Sequence, residues 1–116
     1  MTFEDLVAAL RGLDGQPVSV SFHSSPDDLQ PVLHVQGKLH RDDVDDTSDW
    51  VAFTVGEVPY PDEPMKRAKL EAFEHAYLDL QRAKIVSATW RETDDGGPFL
   101  AVVIRGGSML RIWPHR

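Results

Sequence analysis

His23 and His34 flank a short connection carrying Asp27 and Asp28, which together would supply imidazole and carboxylate donors to a divalent metal. His40 cannot complete that set, because six residues along a strand span roughly 20 Å. The plainer expectation is a pair of surface histidines on a hairpin. Ser21 stands two residues before His23 on the same strand face, yet no third member of a nucleophilic triad is apparent and strand spacing sets the two about 7 Å apart. Asp43, Asp45, Thr47 and Asp49 imitate the first oxygen ligands of a calcium loop, but Ser48 holds the glycine position and Thr54 the bidentate glutamate position. A solvated acidic turn, which also discourages edge-to-edge pairing, accounts for that run. Glu71 and His75 are one helical turn apart, a spacing usable for acid–base chemistry and more often an exposed pair. A glycine-rich phosphate loop, a paired-histidine zinc helix and a nucleophile elbow are all absent from the sequence. The expectation is a noncatalytic protein with no cofactor.

The elements that must position these residues begin with a helix. Thr2 and Asp5 make a capping-box variant, and Phe3, Leu6, Val7, Leu10 and Leu13 recur at helical spacing until Gly12 or Gly15 ends the element. From Pro17, the residues Val18, Val20 and Phe22 alternate with Ser19, Ser21 and His23 as in a half-buried strand. A second strand sets Leu33, Val35 and Leu39 against His34, Gln36, Lys38 and His40. Gly37 falls on its buried side, where a missing side chain implies a bulge or the close approach of another backbone. Trp50 to Val55 forms a third strand. Pro64 opens an internal helix running to about His75, although Tyr77, Leu78 and Leu80 could instead belong to a strand. Ile85 to Glu92, Phe99 to Ile104 and Met109 to Trp113 supply the remaining strands.

The last two strands are apolar at nearly every position and meet at Gly106-Gly107, a pair suited to the positive φ angles of a two-residue hairpin loop. That loop would pair Ile104 with Met109, Val102 with Arg111 and Leu100 with Trp113 on one face. Val103 would then face Leu110, and Ala101 would face Ile112, on the other. A ribbon apolar on both sides needs two covers. The predicted contact surface for a partner is therefore Leu100, Val102, Ile104, Met109, Arg111 and Trp113.

The chain has 116 residues, 41% apolar and 27% charged, which suits one domain with a real core. The predicted class is α+β and mainly antiparallel: a small curved sheet or barrel of about five to six strands, an N-terminal helix and one internal helix. With no cysteine, no apolar run of membrane length and an acidic N-terminus, a cytoplasmic protein is expected. A formal charge of −7 disfavours nucleic acid as a partner. Lys66, Arg67, Lys69, Arg82 and Lys84 are its main basic concentration, suited to neutralising the aspartates. Trp50, Trp90 and Trp113 read as core or interface anchors.

Val35-Gln36-Gly37-Lys38-Leu39 and Val103-Ile104-Arg105-Gly106-Gly107-Ser108 resemble the bent second strand and the Ile-Arg-Gly turn of the Sm-like family, one of the small barrels that also include the SH3-like group. The resemblance implies a small barrel and association through strand edges. It does not extend to the family's uridine site, because four aspartates and no asparagine occupy the corresponding loop, and the stretch from Pro59 to Pro98 is long for the family. The leading functional expectation is a protein-binding or structural module that self-associates. The alternatives are an acidic inhibitor or immunity-type protein meeting a basic partner, and a barrel that binds a small ligand or a metal at His23 and His34.

Overall fold

A computed structural model describes residues 1–28, 30–42, 49–56, 76–93 and 97–115. Helix α1 covers Phe3–Arg11. The Thr2 hydroxyl accepts a hydrogen bond from the Asp5 N–H, and the Asp5 carboxylate accepts one from the Thr2 N–H, each at 3.1 Å. Both interactions satisfy amides that the first helical turn leaves unpaired. Thr2→Ala should therefore cost about 1 kcal/mol in denaturant unfolding, and Thr2→Ser well under half of that. Phe3, Leu6, Val7 and Leu10 are the buried face of the helix, as their spacing requires.

Seven strands follow: β1 (Pro17–His23), β2 (Leu33–Asp42), β3 (Trp50–Gly56), β4 (Ala76–Gln81), β5 (Ile85–Thr93), β6 (Gly97–Ile104) and β7 (Met109–Pro114). They form one antiparallel sheet in the order β4-β3-β2-β1-β7-β6-β5. The mainly antiparallel α+β class stands, but the small curved sheet or barrel of about five to six strands gives way, among the described residues, to an open sheet of seven. Its two edges, β4 and β5, are consecutive in the chain and joined by a single 3-10 turn, Arg82–Lys84. The extra strand is the segment containing Tyr77, Leu78 and Leu80, whose alternation along β3 buries Leu78 and Leu80 while exposing Tyr77 and Asp79. The predicted helix from Pro64 to His75 lies outside the described residues, as do Glu71 and most of the Asp42–Asp49 run. No helix among the described residues is long and apolar enough to cross a membrane.

One face of the sheet packs on α1. Val18, Val20, Leu39, Val51, Phe53, Val55, Leu78, Leu80, Leu100, Val102, Leu110 and Ile112 join the four buried helix residues in a single cluster. Arg82 pins the helix start to the sheet. Its guanidinium bonds to Glu4 and, at 2.9 Å, to Asp49, and its centre lies 4.8 Å from the middle of the Phe3 ring. The Arg82 bond holds the Glu4 carboxyl below its ordinary pKa. Gly37 is the predicted close approach: a Cβ there would sit 2.8 Å from the Gly56 Cα, where β2 runs past the end of β3.

The closing hairpin differs from the expected pairing by one residue. Ile104 donates to the Ser108 carbonyl at 2.9 Å and Gly107 donates back to Ile104 at 3.0 Å, so Arg105, Gly106 and Gly107 form the loop, with both glycines at positive φ. The resulting pairs are Leu100 with Ile112, Ala101 with Arg111, Val102 with Leu110, and Val103 with Met109. Since side chains alternate, the shift exchanges faces for the whole of β7.

Candidate functional site

The register divides the six residues of the predicted contact surface between the two faces. Leu100 and Val102 are buried in the helix-side core, and Ile104 packs against it. Met109, Arg111 and Trp113 point to the opposite face with Phe99, Ala101 and Val103, where Phe99, Ala101 and Met109 form a second, smaller core. Both faces of the ribbon thus carry buried apolar residues. On the second side the β1–β2 loop is bonded to β1 and β7. His23 Nδ1 lies 2.9 Å from the Asp28 carbonyl, and the Arg111 guanidinium reaches the Pro26 carbonyl at 3.5 Å.

His23 is only 2% exposed, and its ring is fully committed. Because a carbonyl can only accept, Nδ1 carries a proton; in the neutral ring Nε2 then accepts from the Ser21 hydroxyl at 2.9 Å. A serine, an imidazole and an orienting carbonyl are the ingredients of nucleophile activation. Here Ser21 is buried as well, so the pair acts as a clamp on the loop. A parallel contact joins Ser19 to His115. The strand spacing of Ser21 and His23 concealed this bond because it measures backbone separation, while the two side chains lean together.

The candidate metal residues are dispersed. His34 lies opposite Ser21 and is exposed, whereas His23 is buried with both nitrogens engaged. The Asp28 carboxylate accepts from the Gln30 N–H at 3.1 Å and the Ser24 hydroxyl at 3.0 Å. Those two bonds, aided by the nearby charges of His23 and Arg111, hold its pKa below the ordinary aspartate value. Asp27 is exposed on the same loop. Among the described residues no three His, Asp or Glu side chains converge as a metal would require.

Two further features were not singled out from the sequence. A mainly apolar groove of about 290 Å³ is lined, among the described residues, by Val20, Phe22, Leu33, Val35, Leu78 and Leu110, with Tyr77, Asp79 and Ile104 at its margins. The second is the outer edge of β5. Among the described residues this nine-residue strand pairs only with β6, and it carries Val86 at 63% and Trp90 at 41% exposure. The Met1 ammonium donates to the Ala88 carbonyl at 3.3 Å, occupying one position of the edge.

No family model, no curated protein and no solved structure matches the chain. The likeness to Sm-like barrels therefore stays with the two strings that carry it, one in β2 and one across the β6–β7 turn.

Proposed function

We propose that the chain is a noncatalytic protein-binding module that self-associates, with the outer edge of β5 as its contact. The observation that carries this reading is Trp90, a large aromatic left substantially exposed on an edge strand. Indole is the side chain most over-represented where protein surfaces meet, because one rigid ring buries a large area at small entropic cost. An unpaired strand edge presents its own amides and carbonyls as a template for another strand. Two copies meeting there antiparallel about a twofold axis would put Trp90 and Val86 of each against the other. The same surface serves a different partner that offers an extended segment.

Sedimentation velocity across a concentration series tests the proposal. The expected result is a monomer–dimer equilibrium that Trp90→Lys shifts by at least about tenfold toward monomer, since a lysine on an edge opposes pairing. A monomer at every concentration, or a dimer indifferent to Trp90→Lys, would rule out this contact.

A further inference from the structure

On the face of the sheet turned away from α1, the cations Lys38, Arg91 and Arg111 share the side with Asp79 and with the loop that carries Asp27 and Asp28. Strand register places His34 opposite Ser21 and Ser21 opposite Arg111, in one row across β2, β1 and β7. The neighbouring row runs Gln36, Ser19 and Trp113 across the same strands. Lys38, opposite Pro17, and Arg91, opposite Phe99, project from the same side, and both are exposed.

Arg111 occupies the middle of this face in an unusual state. It is half-buried, its guanidinium centre lies 5.7 Å from the middle of the Phe99 ring, and Phe99 stacks on Trp113 at 4.3 Å. Among the described residues its buried Nε has no hydrogen-bond acceptor, and the guanidinium's bond to the Pro26 carbonyl is long at 3.5 Å. No carboxylate among the described residues lies within ion-pair distance of it; Asp28, close enough to feel its charge, is held instead by Gln30 and Ser24. A guanidinium withdrawn from water normally has a carboxylate or phosphate in its fork, because an uncompensated buried charge is costly. The other polar residues of the two rows, Ser19, Ser21, Gln36 and His34, include no carboxylate.

We propose that Arg111 anchors a binding site for an oxyanion, the carboxylate or phosphate group of a small molecule. The guanidinium supplies the charge-assisted bonds. Trp113, half-exposed and stiffened by its stack on Phe99, supplies a flat apolar wall for the body of the molecule. Lys38 and Arg91 add positive charge on the same side of the sheet. The site is centred on β7 and does not depend on self-association.

The test is a titration of the full chain with inorganic phosphate, and in parallel with acetate and benzoate, at ionic strength held constant with chloride. Arginine Nε–H signals and backbone amides are followed by two-dimensional NMR. Saturable shifts centred on Arg111, Trp113 and Ser21 are expected, with phosphate stronger if the natural group is a phosphate and benzoate stronger if it is an aromatic carboxylate. Arg111→Lys keeps the charge but loses the planar fork, and should weaken binding by about tenfold. Arg11→Gln, in the last turn of α1 and outside the rows around Arg111, should leave the affinity intact. Shifts no larger than chloride alone produces, or an Arg111→Lys variant that binds like the parent, would overturn the proposal. Because the titration of the parent protein is decisive, a variant that failed to fold would not remove the test.

Discussion

Phe53→Ala is expected to remove about 3–5 kcal/mol of folding stability, the range that truncating a fully buried aromatic costs when its surroundings relax only in part. Among the described residues Phe53 is the largest fully buried side chain, and it lies on β3 between Leu78 of β4 and the second strand, inside the cluster that α1 covers. Its loss opens a void that touches both helix-side and sheet-side residues. A domain of this size has only about 5–15 kcal/mol to spare, so the variant should unfold at much lower denaturant with a slope close to that of the parent. Phe53→Leu, which keeps most of the volume, should cost clearly less. A loss below about 1 kcal/mol for the alanine variant would mean that β3 does not pack as described.

Gly37→Ala is expected to be nearly as damaging for the opposite reason, overcrowding. The added methyl would meet the Cα, C and N atoms of Gly56 at 2.8–2.9 Å. Backbone atoms in a paired strand cannot swing aside as the end of a lysine would, so β2 and β3 must separate locally. Overpacking of this type costs about 1–3 kcal/mol, which for a domain of this length lowers the unfolding midpoint by roughly 4–8 °C per kcal/mol. Gly106→Ala provides a contrast, since its Cβ would enter open space and the penalty comes from positive φ alone. If Gly37→Ala melted with the parent protein, the close approach of the two strands would be wrong.

What could be read from the residues, and what could not, separates cleanly by range. The capping box at Thr2 and Asp5, the buried stripe of α1 and the alternation of β1 are local patterns, and each appears as its spacing requires. Gly37 was legible because an absent side chain on a buried face has few explanations. The last hairpin was legible as a hairpin but not in register: Gly106-Gly107 suits a two-residue loop, yet Arg105 joins the loop and Ser108 closes it. One residue of slip sent Met109, Arg111 and Trp113 to the face opposite Leu100 and Val102. The grouping of Lys38, His34, Arg91 and Arg111 depends on strand order, which no local pattern contains. From the sequence alone these four residues are scattered. His23 was misplaced at the surface because nothing in Ser24–Asp28 announces that the loop returns over its own strand.

Strand order also determines how this molecule can assemble itself. Strands β1 to β4 form one meander and β5 to β7 another, and the two are zipped together where the first strand meets the last: Val18 lies opposite Pro114, and the His115 amide reaches the Pro17 carbonyl at 3.0 Å. Nearly the whole chain must therefore be made before that seam can shut, and the loop-closure entropy of doing so falls on a single late event. Each ribbon carries an unsatisfied border until then, which makes the interval between synthesis and closure the period of greatest exposure to misassociation.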